Sequence, residues 1–132
     1  MPDALAPDGS EIRYLAGRDE LATRFSLVDV RLPAGQVTVP VRHRTVEETW
    51  HMIGGWGRVW RSIPGGESRI DQVAPGDSLV IPTGCAFQFS AGPEGLRFLC
   101  FTSPPWPGAE EAMALAEGGL GPPRLGGRNH DS

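Results

Sequence analysis

The chain has 132 residues and a formal net charge of −4, and this length fits a single domain with its own hydrophobic core. Its twelve basic residues are all arginines and are scattered, which excludes Schiff-base catalysis by lysine and argues against a nucleic-acid partner. There is no apolar run of membrane-span length, no signal-peptide pattern and only two cysteines, so we expect a cytoplasmic protein without a membrane partner.

Short strands joined by glycine and proline turns dominate the chain. Residues 1–10 are expected to be loose, and residues 18–24 predict at most one helical turn. Alternating and β-branched segments predict strands at 12–15, 26–32, 37–43, 48–53, 59–63, 68–73, 78–81, 86–90 and 96–102. Because turns recur at short intervals and no long amphipathic helix separates the strands, the pattern indicates a β-sandwich or barrel.

The composition changes after residue 103. A rigid Pro-Pro-Trp-Pro-Gly stretch at 104–108 is followed by a segment, 109–117, that predicts a short helix ended by two glycines. The last residues are rich in glycine and proline. We therefore divide the chain into an N-terminal segment (1–24), a β-barrel (25–103), a proline-rich turn with a short helix (104–118) and a flexible tail (119–132).

Two spaced motifs carry the most specific signal. The first contains Gly35, Val41, His43, Glu48 and Gly55, with intervals of five, one, four and six residues. The second contains Gly76, Pro82, Gly84 and Phe87, with intervals of five, one and two residues. This pair resembles the two motifs of the cupin superfamily, G(X)5HXH(X)3,4E(X)6G and G(X)5PXG(X)2H(X)3N. The resemblance covers residues 25–102 and implies an all-β fold, a single cupin β-barrel (double-stranded β-helix, or jelly roll), here with a short C-terminal helix.

Half of the metal ligands that the resemblance implies are replaced. In metal-binding cupins the motifs supply three histidines and one glutamate, whereas this chain has Val41 and Phe87 at two of the histidine positions. A first-row metal needs three or four protein ligands. We therefore expect no metal cofactor, and a divalent ion held only by His43 and Glu48 would bind weakly. His51 cannot repair the site if strand alternation turns it outward.

The resemblance also implies which side chains line the barrel interior. These are Val41, His43, Glu48, Trp50, Met52 and Phe87. His43 and Glu48 are the candidate catalytic pair, because a histidine oriented by a carboxylate can act as a general base. Val41, Trp50, Met52 and Phe87 are the candidate ligand-binding residues, with Trp50 and Phe87 placed to stack on a planar ligand. Trp106 is expected to serve in packing or in a dimer contact.

Three functions follow from this inventory. The first is a protein that binds a small molecule inside the barrel, extended to a metal-free isomerase or lyase that uses His43 and Glu48. The alternative is a metal-dependent, oxygenase-like cupin with a degenerate His/Glu site. The third is a regulatory or accessory protein without catalysis. Since cupins often pair through their outer sheets, the resemblance also implies a homodimer.

Overall fold

The computed structural model describes residues 2–16 and 24–126, which form an almost entirely antiparallel β structure. Its strands are β1 (Ala4–Leu5), β2 (Glu11–Ala16), β3 (Ser26–Leu32), β4 (Val41–His43), β5 (Glu47–Ser62), β6 (Ser68–Val73), β7 (Ser78–Ile81), β8 (Ala86–Ser103) and β9 (Ala112–Ala114). The all-β barrel expected from the two motifs is confirmed. The helical turn predicted at 18–24 lies largely outside the described residues.

Two long bent strands, β5 and β8, join the two halves of the barrel. The first half of β5 pairs with the second half of β8, from Glu47 opposite Ser103 to Met52 opposite Phe98. After two register shifts, the second half of β5 pairs with the first half of β8. The sequence predicted two separate strands in each of these regions, and this part of the prediction is wrong. Each pair of segments is one strand that bends and passes from one sheet to the other.

Glycine makes the bend in β5 possible. Gly55 has a φ of +68°, a conformation that residues with a Cβ rarely adopt. A Cβ at this position would also overlap the carbonyl oxygen of Gly95 on the facing strand. The glycine run of the first motif therefore serves close backbone approach as well as conformational freedom.

The two sheets share β5 and β8 and curl around a common core. One sheet runs β1-β2-β3-β8-β5-β7, and the other runs β9-β4-β8-β5-β6. Trp50 lies in the core, where it stacks on Phe98 with ring centroids 4.2 Å apart. Phe89 meets both rings edge-on. Alternation along β5 explains this placement, since Glu48, Trp50 and Met52 are buried while their neighbours are exposed.

The short helix predicted at 109–117 is wrong. A single 3-10 turn, Ala109–Glu111, leads directly into β9, which pairs antiparallel with the edge of β4 and brings Ala112 opposite His43. The unpaired backbone of β4 provides hydrogen bonds that an isolated helix of this length cannot match. The Glu111 carboxylate fixes the turn by accepting hydrogen bonds from the backbone of Thr45 and Val46.

The chain after β9 contacts the barrel as far as the structure describes it. The Gln88 side chain donates hydrogen bonds to the carbonyl oxygens of Thr38 and Gly121 and accepts one from the Leu120 N–H. Residues 127–132 of the predicted tail lie outside the described residues, and the proposed domain boundaries stay predictions. Among the described residues, no helix is long and apolar enough to cross a membrane.

Candidate functional site

A cavity of about 390 Å³ lies inside the barrel, between the two sheets and the N-terminal segment. Its wall is mostly aromatic and aliphatic, and its polar groups include His43, Glu48, Asp8 and Thr102. A small number of polar groups in an apolar cavity is the usual composition of a small-molecule site.

His43 and Glu48 come together because alternation turns both side chains into the barrel. His43 ends β4, Glu48 is the second residue of β5, and both side chains are buried. The His43 Nδ1 atom lies 3.8 Å from Glu48 Oε2, which is within ion-pair range but too long for a hydrogen bond. His43 Nδ1 is buried and has no hydrogen-bond partner. Since a buried polar nitrogen usually has a partner, this atom is the polar position of the site that the described protein groups leave without a hydrogen bond.

Two other side chains hold the Glu48 carboxylate in place. Trp50 donates its indole N–H to Glu48 Oε1 at 2.9 Å, and the Thr102 hydroxyl donates to Glu48 Oε2 at 3.1 Å. Each carboxylate oxygen therefore has one donor from the protein, and together the two donors orient the carboxylate. A carboxylate held in this way can orient or stabilise a protonated imidazole beside it.

Aromatic rings surround the His43 imidazole. Phe87 and Trp106 each meet it edge-on, with centroids 5.0 and 5.1 Å away. Trp106 was expected in packing or in a dimer contact, but the structure places it on the cavity wall. The rigid proline-rich stretch that carries it was visible in the sequence, whereas its return to the barrel mouth was not.

Asp8 is a buried acidic group that the sequence did not indicate. Its Oδ1 atom accepts hydrogen bonds from the N–H of Ser10 at 2.9 Å and from the Ser10 hydroxyl at 2.7 Å. Burial raises the pKa of the Asp8 carboxyl, the Ser10 hydrogen bonds only partly offset this, and the nearby Glu48 charge raises the pKa further, while His43 opposes it. The only signal available was the Asp8-Gly9-Ser10 turn ahead of a strand, within a segment expected to be loose.

The remaining predicted site residues fall into two groups. Val41 and Phe87 are direct partners across β4 and β8 and, like Trp50, line the cavity. Met52 is buried in the hydrophobic core but is not on the cavity wall. His51 is exposed, as alternation predicted, and its Nδ1 atom lies 2.8 Å from the Ser78 hydroxyl oxygen.

The donor set does not fit a resident metal ion. The two further ligand positions hold the hydrocarbon side chains of Val41 and Phe87, and both Glu48 oxygens already accept hydrogen bonds. Within the described ranges 2–16 and 24–126, no group of three or more His, Cys, Asp or Glu side chains is arranged to hold an ion. One imidazole and one carboxylate fall short of the three or four ligands that first-row metals need.

Comparison with known proteins supports the fold. Residues 3–111 match the family model described as Cupin. Oxalate decarboxylase from Bacillus subtilis at pH 4.6 is similar with a TM-score of 0.73 and 27% identity over 82% of this chain and 28% of that chain. The formate complex of Lactobacillus farciminis oxalate decarboxylase has a TM-score of 0.70 and 26% identity, over 82% of this chain and 32% of that chain. The coconut allergen cocosin has a TM-score of 0.68 and 22% identity, over 78% of this chain and 28% of that chain. This similarity indicates a shared fold alone.

This chain therefore spans less than a third of each of these solved chains. A search of curated protein sequences gave no significant match.

Proposed function

Because the chain belongs to the cupin family, we propose that it binds a small organic molecule in the barrel cavity, with His43 and Glu48 as its polar contacts. The observation that carries this proposal is the buried, unpartnered Nδ1 atom of His43, which faces Glu48 in an apolar cavity. A ligand with a polar group at this point would complete the hydrogen bonding that the protein leaves open.

The same pair can move a proton. A neutral His43 imidazole would take a proton from a carbon or oxygen of the bound molecule and return it to a neighbouring atom, while the electron pair stays within the ligand. Glu48, oriented by Trp50 and Thr102, would stabilise the imidazolium formed in between. This chemistry corresponds to a metal-free isomerase. The same pair would act as a lyase if the electron pair instead expelled a leaving group from the neighbouring atom and the imidazolium gave its proton to that group.

The aromatic wall supports this role. Phe87 and Trp106 pack edge-on against the imidazole and limit the positions that it can take. Their apolar surfaces also keep water from the pair, and the interaction between an imidazolium and a carboxylate is stronger where water is excluded.

A metal-dependent activity is the competing interpretation, and it lacks a third ligand. Metal analysis of protein purified without chelator separates the two. We expect far less than one equivalent of iron, manganese, nickel or zinc per chain. A near-stoichiometric metal that is lost in His43→Ala would overturn the metal-free assignment.

Ligand binding is tested with a fragment library screened by ligand-observed NMR. We expect a set of mutually competing fragments that bind the wild-type protein and lose binding in His43→Ala. His51→Ala is the matched control, because His51 lies on β5 near Glu48 but is exposed. Fragments that bind wild type and His43→Ala equally would contradict the proposed site.

Catalysis is tested on the same fragments. In deuterated solvent, a proton-transferring site should introduce deuterium at a carbon of at least one bound fragment, and mass spectrometry detects the exchange. We expect the exchange to disappear in His43→Ala and to persist in His51→Ala. Binding without exchange in any fragment would restrict the protein to a binding function.

We also propose a cytoplasmic location, which is supported by the two cysteines, Cys85 and Cys100, since both are free and buried.

A further inference from the structure

We propose that the cavity takes a planar molecule that is uncharged or positively charged and that donates hydrogen bonds to Glu48, and that it rejects carboxylates and phosphates. This inference deepens the proposed function and rests on it, since it names the chemical class of the ligand for the same cavity.

The first argument comes from the charged residues on the cavity wall, which disfavour an anionic ligand. Asp8 and Glu48 are the acidic residues there, and none of the lining residues in the described part of the chain is an arginine. The whole sequence contains no lysine. A ligand anion would therefore enter an apolar site beside carboxylates, with His43 as its one titratable cation, and an anion buried without adequate pairing is strongly disfavoured.

Four arginines on the barrel strands pair with aspartates away from the cavity, and Arg42, which precedes His43 on β4, is exposed. Arg97 pairs with Asp29 at 2.8 Å, and Arg31 approaches the same carboxylate at 3.3 Å. Arg61 and Arg69 share Asp71. These pairs lie outside the cavity wall, so they do not supply a counter-charge to a ligand inside it.

Hydrogen-bonding capacity gives the second step. An ionised carboxylate only accepts hydrogen bonds, and each of its oxygens has about two acceptor sites. In the structure, Glu48 Oε1 accepts from Trp50 and Oε2 accepts from Thr102, which leaves further acceptor capacity on both atoms. A ligand group that uses the free acceptor sites of Glu48 must be a hydrogen-bond donor, such as an amide, amine or hydroxyl.

Aromatic surface gives the third step. Trp50, Phe87, Phe98 and Trp106 all contribute to the wall. A wall of aromatic rings suits a planar ring among them, and aromatic rings also attract cations. The cavity volume of about 390 Å³ is near the lower end of the range for small-molecule sites, which fits a ligand of one or two rings.

This class differs from oxalate, after which the similar bacterial enzyme is named. Oxalate decarboxylase acts on a small dianion, and the chain shares the fold of that enzyme at 27% identity. Two carboxylates on one ligand need cationic partners, which the described wall here does not provide. We therefore expect oxalate not to be a ligand of this protein.

A matched series of ring compounds tests the inference: benzamide is neutral, benzamidine is a cation and benzoate is an anion of nearly the same shape. Binding is followed through the assigned indole N–H signal of Trp50, which donates to Glu48. For fragments of about nine heavy atoms we expect dissociation constants in the millimolar range. Benzamide and benzamidine should bind at least about tenfold more tightly than benzoate, and oxalate should give no shift.

Variants assign the discrimination to the acidic groups. The double variant Glu48→Gln/Asp8→Asn keeps the size of both side chains and removes their charge, so the preference for benzamide over benzoate should shrink severalfold. An unchanged preference in this variant would overturn the inference, as would benzoate or oxalate binding to wild type as tightly as benzamide. Failure of all three ring compounds to shift the Trp50 signal would also overturn it.

The proposed function fails in a different way. If benzamide binds wild type and His43→Ala equally, the part of the cavity beside His43 and Glu48 is not the binding site. The proposed function and the proposed ligand class are then both wrong. If benzoate binds best but loses binding in His43→Ala, the proposed site stands and only the ligand class is wrong.

Discussion

At the scale of single residues, the Glu48 carboxylate owes its orientation to two donors from different strands. Trp50 is a near neighbour on β5, whereas Thr102 belongs to β8. Each hydrogen bond involves a buried charged acceptor, and such bonds contribute more to stability than neutral ones. The functional side chain is thereby also part of what holds the two strands together.

Replacing Thr102 tests this coupling. Thr102→Val keeps the shape of the side chain but removes the donor to Glu48 Oε2, so the free energy of unfolding should fall by about 2 kcal/mol. Thr102→Ser keeps the hydroxyl and should retain most of the stability. Urea unfolding at neutral pH measures both variants, and equal stability of Thr102→Val and wild type would contradict the role given to this hydrogen bond.

Two buried aspartates should affect stability with opposite dependence on pH. Burial raises the pKa of Asp8, which lies beside Glu48 and His43. Between the unfolded pKa of about 3.9 and the higher folded pKa, the native state therefore binds more protons than the unfolded state, and stability falls as pH rises. Burial also acts to raise the pKa of Asp29, but hydrogen bonds and charges from Arg97 and Arg31 outweigh it and lower the pKa. The stability from Asp29 is present above its unfolded pKa and lost as pH falls through its lower folded pKa.

The matched variants are Asp8→Asn and Asp29→Asn. Asp8→Asn keeps an acceptor for Ser10, so it should be more stable than wild type at pH 7, with the difference closing toward pH 3. Asp29→Asn should be less stable than wild type at pH 7, and the difference in stability between the two proteins should also become small in acid. Thermal unfolding across this range checks both, and a pH-independent difference for either variant would refute the assignment.

The resemblance of the two motifs predicted Val41, His43, Glu48, Trp50 and Phe87 in the barrel interior, and all five line the cavity. Met52 was predicted there too and has the same parity as Trp50, but it is buried in the core and is not on the cavity wall. Asp8 and Trp106 could not be found in this way, because each reaches the cavity from a segment without alternation. Their position depends on how the chain ends fold back on the barrel, which local spacing does not encode.

At the scale of elements, the bend of β5 and β8 decides where the cavity forms. Local patterns locate the segments of both strands, but they predict a strand end at Gly54 and Gly55, where β5 continues, and a break between residues 90 and 96, where β8 continues. The continuity of the strands depends on pairing between positions far apart in sequence, as between Glu48 and Thr102. For the same reason the pairing of β9 with β4 was not visible, and the segment was predicted as a helix.

Gly55→Ala tests the bend itself. The substitution places a Cβ against the Gly95 carbonyl and also imposes a left-handed conformation on alanine, so we expect a loss of about 3 kcal/mol or more. Gly65→Ala is the matched control, since Gly65 has a similar φ of +71° and no neighbour within 4 Å of the added Cβ. Its cost should be only about 1 kcal/mol. Chemical denaturation measures both variants. If Gly55→Ala and Gly65→Ala lost the same free energy of unfolding, the close approach of Gly95 would not matter and only the backbone conformation would require glycine at position 55.

At the scale of the whole molecule, one outer face of the barrel carries exposed apolar side chains. Val80 on β7 and Phe101 on β8 flank Thr49 on β5, with exposed fractions of 47% and 42%. Phe25 stacks on Phe101 with centroids 5.0 Å apart. Exposed apolar patches on a sheet often mark a contact with another chain, and the homodimer implied by the sequence resemblance stays a prediction.

Light scattering coupled to size-exclusion chromatography checks the homodimer. We expect the mass of a dimer for wild type, and the mass of a monomer for Phe101→Glu, because a buried charge would oppose association. Arg58→Glu changes an exposed residue elsewhere on β5 and serves as the control. A wild-type monomer would refute the dimer without affecting the cavity, which one chain forms alone.

The central claim is that an organic molecule, and not a metal ion, completes the corner formed by His43 and Glu48. Crystals of protein purified without chelator, measured at wavelengths that give anomalous signal from first-row metals, test it most directly. We predict non-metal density in the cavity within hydrogen-bonding distance of His43 Nδ1. An anomalous peak coordinated by His43 and Glu48, or density for a ligand that avoids both side chains, would contradict it.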